Sequence, residues 1–169
     1  SFMGYAGDRV TAWLHPELDP GDTGYQILQS LYAIGSGGLF GLGYGKSRQK
    51  YLYLPFQYND YIFAVICEEL GLVGAMAIVA LFAVTILRGY WIALNARDRF
   101  STVLAAGLVT LIAVQTILNL CVVTNLLPST GIALPFFSYG GTALAVNLGE
   151  MGIVLGISRG RNRRKIQEA

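Results

Sequence analysis

Two stretches carry no charged side chain, Leu70 to Leu87 and Phe100 to Gly149, and they dominate the pattern of this chain. About 20 mainly apolar residues suffice to cross roughly 30 Å of hydrocarbon. The pattern therefore predicts three membrane-spanning helices, over 61–87, 101–123 and 140–158. A loop from Thr124 to Tyr139, containing Pro128, Gly131 and Pro135, separates the last two. Backbone polar groups cannot face lipid unpaired, so that loop must pack on protein or line a cavity. Upstream, Asp19-Pro20-Gly21-Asp22 is a turn signal. Ile27, Leu28, Leu31 and Ile34 recur at helical spacing and predict an amphipathic helix over Tyr25–Ile34, lying at the membrane surface. Gly35 to Gly45 is too rich in glycine to stay regular. The expected fold class is an all-α integral membrane protein: three transmembrane helices plus a large extracellular loop with short helices.

Composition agrees with the pattern. Of 169 residues, 54% are hydrophobic and 13% charged, about half the charge content of a soluble domain. The net charge of +2 matters less than its placement. Arg159, Arg161, Arg163, Arg164 and Lys165 follow the last apolar run, and Arg88, Arg97 and Arg99 flank the first hairpin. Basic residues beside short loops mark the cytoplasmic side. Residues 159–169 are thus a cytoplasmic tail, 8–59 and 124–139 lie outside, and a nucleic-acid role for the tail is not needed. Cys67 and Cys121 both fall in apolar runs and read as small buried hydrophobes, without disulfide or metal spacing. Ser1 to Gly7 lacks the basic start and apolar core of a cleavable signal peptide, and the chain reads as starting in mid-protein.

Four acids carry candidate chemistry. Asp60 precedes a helical apolar run, so it is either the helix N-cap or a general base at the outer membrane face. Glu68 and Glu69 lie two turns further in; adjacent helical residues point about 100° apart, which would send one toward headgroups or a neighbour and the other toward a cavity. Glu150 is deep in the last span and should face the bundle interior and have a partner. Lys46, Arg48 and Lys50 lie in the outer loop, where the charge rule does not favour them, and are candidates for binding anions. The glycine-rich run just before them could present backbone amides to phosphate. It is not a P-loop, because Phe40 stands where the first glycine would be. His15, the only histidine, excludes a His-based triad or a His-cluster metal site.

The ordered motifs Gly24-Tyr25-Gln26, Gly35-Ser36-Gly37-Gly38, Gly41/Gly43/Gly45, Ser47 with Gln49-Lys50, Leu54-Pro55, Asp60-Tyr61-Ile62-Phe63, Glu68-Glu69-Leu70-Gly71, Pro128 with Thr130-Gly131, Leu134-Pro135-Phe136 and Ser138-Tyr139-Gly140-Gly141 resemble the SEDS family (shape, elongation, division and sporulation), the FtsW, RodA and SpoVE type proteins. The resemblance covers nearly the whole chain from Arg9 onward, and Ser47-Arg48-Gln49-Lys50 with Tyr53-Leu54-Pro55 leans toward the division and sporulation branch. Phe56, Tyr58, Cys67 and Thr142-Ala143 depart from the usual pattern.

The resemblance implies the C-terminal portion of a ten-helix polytopic fold in the bacterial plasma membrane. It implies a peptidoglycan glycosyltransferase that polymerises lipid II during division, elongation or sporulation, with Asp60 as base. This portion alone would be inactive, because the family's cavity is lined from both halves. Lys46, Arg48 and Lys50 would help pyrophosphate leave, and Gln49, Glu69, Ser138 and Tyr139 would complete the lipid II contacts. No protein metal site is implied; a divalent cation (Mg2+ or Mn2+) is the one cofactor to consider. The implied partners are lipid II, a class B penicillin-binding protein and other divisome or elongasome proteins. Two other readings stay open: a lipid II flippase, and a non-catalytic scaffold for the transpeptidase.

Overall fold

Helix α1 forms over Thr23–Ser36, and its sequence explains which face it buries. Ile27, Ser30 and Ala33 are at most 2% exposed, whereas Tyr32 is exposed. The buried stripe thus combines Ile27 with the small Ser30 and Ala33, with Leu28, Leu31 and Ile34 only half-buried. Small side chains let helix backbones approach closely. The computed structural model describes residues 10–11, 13–16, 23–43, 45, 61–138 and 140–167, with backbone only for 23 and 161–167. The buried face of α1 is formed by Ile27, Ser30 and Ala33. It packs on protein, and the Ser30 hydroxyl donates to the Ile27 carbonyl (2.8 Å) and reaches the Val123 carbonyl (3.4 Å).

Helix α2 spans Ile62–Leu94 and is interrupted at Gly71, whose φ of 66° and ψ of −169° lie outside helical space. Its straight part runs from Leu72 to Leu94, about 33 Å at 1.5 Å per residue, enough to cross a bilayer. The span expected over 61–87 therefore extends to Leu94, and its first nine residues are a separate short helix set off by the kink. Helix α3 follows over Arg99–Val123. Its N-cap is Asp98, which accepts from the Ser101 amide (3.0 Å) and hydroxyl (2.9 Å). These bonds hold the Asp98 carboxyl below the usual aspartate range. Helix α4 runs over Gly141–Gln167, with a span-length apolar part at Gly141–Gly160.

Helices α2 and α3 pack as an antiparallel hairpin. Gly89 meets the Val109 side chain, and one residue on the Tyr90 and Thr110 hydroxyls are 2.8 Å apart. Ala93, Ala105, Val109 and Val154 form the core at this end, bringing in α4. At the other end Ala33, Tyr61, Ala64, Cys67, Val123 and Leu134 join α1, the start of α2, the end of α3 and the following loop. Cys67 is buried as expected; Cys121 is half-buried, and neither is in a disulfide.

Helix α3 ends in a Schellman turn. Asn125 takes a left-handed φ of 58°, and the amides of Asn125 and Leu126 bond back to the carbonyls of Val122 (3.0 Å) and Cys121 (2.8 Å). The loop beyond packs on protein, as its backbone requires. Asn119, fully buried, donates to the Ile132 carbonyl (2.8 Å), Leu134 and Pro135 are buried, and the Phe137 ring lies 5.9 Å from that of Phe82.

Candidate functional site

The kink in α2 creates the first half of the site. A helix broken at Gly71 leaves carbonyls unpaired before the break and amides unpaired after it. The glycine-rich turn that follows α1 supplies both sets of partners. Leu42 and Gly43 donate to the carbonyls of Glu68 (2.9 Å) and Glu69 (3.1 Å), while Leu72 and Val73 donate to the carbonyls of Gly38 (2.9 Å) and Leu39 (3.2 Å). Two glycines make this approach possible. Gly41 has φ 77°, and a Cβ there would strike the Glu69 carbonyl; a Cβ on Gly71 would strike the Gly41 amide and sit 2.6 Å from the Leu39 oxygen. The Leu42 and Gly43 amides are therefore spent on carbonyls, and the Gly41 amide bonds to Gly37 (2.8 Å). These three amides are therefore not open to phosphate, while residues 44, 46 and 47 of the run lie outside the described residues.

The same arrangement buries both neighbouring acids. Glu68 is 1% exposed and Glu69 8%, so neither points outward. The 100° between them is covered on both sides by protein, which the isolated-helix picture could not supply. Among the described residues Glu69 Oε1 has no hydrogen-bond partner. The N-cap position of α2 is Tyr61, which makes no side-chain cap bond; the capping role considered for Asp60 lies outside the described residues. Asp60 lies outside the described residues, as do Lys46, Arg48, Gln49, Lys50 and Tyr139. Tyr61, covalently next to Asp60, is 3% exposed and anchored in the core cluster that includes Leu134.

The second half comes from α3, α4 and the loop between them. Ser138 donates its amide to the Leu134 carbonyl (3.1 Å), and its hydroxyl is buried without a hydrogen-bond partner among the described residues. A cleft of about 490 Å³ between α3 and α4 is lined by Gln115, Ile132, Ala133, Thr142, Ala143, Val146 and Asn147. Glu150 lies one turn below Asn147; it is 8% exposed and faces the bundle as expected. The partner expected for it is missing among the described residues, where its Oε2 has none. Also among the described residues, no group of three His, Cys, Asp or Glu could hold a metal ion. The sequence reading missed Asn119, Gln115 and Asn147, polar residues in apolar helices; their spacing on one face of each span was the available signal.

The arrangement therefore gathers an acid-bearing broken helix, its glycine clamp and a mainly apolar cleft bearing Gln115, Thr142 and Asn147 in one helical membrane bundle. Residues 1–163 match the profile of the FtsW/RodA/SpoVE cell cycle proteins. The chain belongs to this family. It is 50% identical over 155 residues to stage V sporulation protein E of Bacillus subtilis (strain 168), covering 92% of this chain and 42% of that protein. It is 48% identical over 154 residues to a probable peptidoglycan glycosyltransferase FtsW of Geobacter metallireducens, covering 91% and 41%. The fold also matches a solved structure on the coordination of polymerization and crosslinking by a peptidoglycan synthase complex. There the TM-score is 0.75 at 29% identity, over 93% of this chain and 42% of that one. A crystal structure of Thermus thermophilus rod shape determining protein RodA matches with a TM-score of 0.60 at 32% identity, over 78% and 40%. The chain thus spans about two fifths of the length of these family members, and like them it is a multi-pass membrane protein.

Proposed function

We propose that the chain is the C-terminal part of a peptidoglycan glycosyltransferase that polymerises lipid II into glycan strands. The observation that carries this reading is the family match over 1–163, with relatives named as peptidoglycan glycosyltransferases at nearly half identity. In the reaction a sugar 4-hydroxyl oxygen bonds to the anomeric carbon of a second lipid-linked sugar. The bond from that carbon to the lipid pyrophosphate breaks with its electron pair, and Asp60 takes the hydroxyl proton. Lys46, Arg48 and Lys50 offset charge on the departing pyrophosphate. Gln49, Glu69, Ser138 and Tyr139 orient lipid II; Glu69 Oε1 and the Ser138 hydroxyl, unpartnered among the described residues, support that role. The described residues offer no donor set for Mg2+ or Mn2+, so no step is routed through a divalent cation.

The loop carrying Asp60 faces outward and the basic C-terminus faces the cytoplasm, in keeping with the placement of Arg88, Arg97 and Arg99. The partner is a transpeptidase of the class B penicillin-binding type, supported by the fold match to a complex that couples polymerization to crosslinking. The test is Asp60→Asn in the full-length protein. Polymer formation from purified lipid II should fall by about 10²-fold or more, the usual contribution of a general base, with lipid and partner binding intact. Undiminished polymerisation refutes the assignment; lost translocation alone, or lost partner binding alone, would instead identify a flippase or a scaffold.

A further inference from the structure

Near its Leu94 end, helix α2 carries a cation that it cannot pair inward. Ile86, Gly89, Tyr90 and Ala93 face α3, through the Gly89–Val109 contact, the Tyr90–Thr110 bond and the core at this end. At about 100° per residue, Val84, Leu87, Arg88 and Trp91 therefore lie on the opposite side of the helix, and all four are exposed. They line a groove of about 520 Å³. The Arg88 guanidinium lies 5.9 Å from the Trp91 ring, and among the described residues no carboxylate pairs with it. Its depth makes that costly. Counted from Leu72, roughly 30 Å of hydrocarbon is used up after about 20 residues, near Trp91, so the Arg88 backbone starts about 4.5 Å inside the boundary. Cα–Cβ bonds tilt toward the helix N-terminus, here toward the bilayer centre, and Trp91, one turn on, leans back over the guanidinium. The stem of Arg88 thus starts in the wrong direction for snorkelling.

We propose that Val84, Leu87, Arg88 and Trp91 bind one anionic phospholipid of the bilayer. Arg88 takes the headgroup phosphate, Trp91 lies beside it at interfacial depth, and an acyl chain runs along Val84 and Leu87. Charge complementarity selects this occupant. A guanidinium matches phosphate with two parallel hydrogen bonds, and the phosphate neutralises Arg88 where no described protein group does. The rest of the groove is apolar, which suits a lipid chain and not a soluble anion. Arg97 and Arg99 lie at the same end, and Asp98 is the only acid between Arg88 and Arg99. That excess of positive charge favours a lipid of net negative headgroup over a zwitterionic one with the same chains. The site is separate from the proposed reaction and does not rest on it.

The test uses the full-length protein in phosphatidylcholine bilayers, with Trp91 fluorescence isolated as the difference from Trp91→Phe. Phosphatidylglycerol brominated on its acyl chains should quench Trp91 at a mole fraction about fivefold below that needed with equally brominated phosphatidylcholine, the gain expected from one Arg beside an anionic headgroup. Arg88→Gln should make the two lipids equivalent. Arg88→Lys keeps the charge and should keep most of the preference. Arg97→Gln is the control: it removes the same charge from the same end but lies off the groove, so the preference should persist. Arg88 is outside the packed face of α2, so neither of its variants should disturb the fold. Equal quenching by both lipids in the parent overturns the proposal, and so does a preference that survives Arg88→Gln. A preference lost in Arg97→Gln as fully as in Arg88→Gln overturns it in favour of general surface charge. Relief of the quenching by inorganic phosphate would identify a free-anion site instead. Absence of quenching by either lipid would identify a protein segment, not a lipid, as the occupant of the groove.

Discussion

Gly89→Ala tests the seam between α2 and α3. An alanine Cβ would lie 2.5 Å from Val109 Cγ2 and 3.0 Å from Cγ1, against an ordinary carbon contact of about 3.5–4.0 Å. Val109 is 3% exposed and β-branched, so its rotamer cannot swing away within a helix. The helices must part by about 1 Å, which forfeits a quarter to a half of each local dispersion contact and stretches the neighbouring Tyr90–Thr110 bond of 2.8 Å. Overpacking of this kind costs about 1–3 kcal/mol. The better helix propensity of alanine offsets up to about 1 kcal/mol, leaving a net loss of roughly 1–2 kcal/mol. Val109→Ala alone removes two methyls from packing, and lipid supplies no hydrophobic term between helices, so it should cost only about 1 kcal/mol. The double variant removes the clash and keeps the propensity gain, so it should lie near the parent, a coupling of about 2 kcal/mol. Reversible unfolding of the four proteins in detergent measures the cycle. Additivity within about 0.5 kcal/mol would refute the close approach of these helices. Gly107→Ala, on the open face of α3, should be neutral or slightly stabilising.

Two further outcomes follow from single side chains. Asn119→Leu removes the 2.8 Å bond to the Ile132 carbonyl and leaves that carbonyl without its donor; a loss of about 0.6–2 kcal/mol is expected, with faster amide exchange at Phe137 and Ser138. The depressed Asp98 carboxyl makes its cap an acid-sensitive one: its contribution is complete above the ordinary aspartate range near pH 4 and is lost as pH falls through the lower folded value. The protection factor of the Ser101 amide should therefore stay flat from neutral pH to about pH 5 and drop only below about 4, and Asp98→Ala should abolish that dependence.

The sequence by itself determined what local chemistry controls. Transfer energies accumulate residue by residue, so charge-free runs announced the spans, and Asp98 or Asn125 could terminate helices through bonds to near neighbours. The order of motifs along the chain was enough to place it in its family. Tertiary structure decided what depends on distant partners. Gly71 inside an apolar run reads as a tolerated helical glycine; it breaks the helix only because residues 38–43 arrive to bond both cut ends. Ser30 and Ala33 join Ile27 on the buried face of α1 while Leu28, Leu31 and Ile34 are only half-buried, since closeness of approach as well as hydrophobicity selects side chains at that contact. Glu68 and Glu69 could both be buried because two surfaces, far apart in sequence, enclose one turn of helix. Pattern encodes a residue's preference for water or lipid; which backbone it meets is set by chain closure over long separations, and that information has no local period.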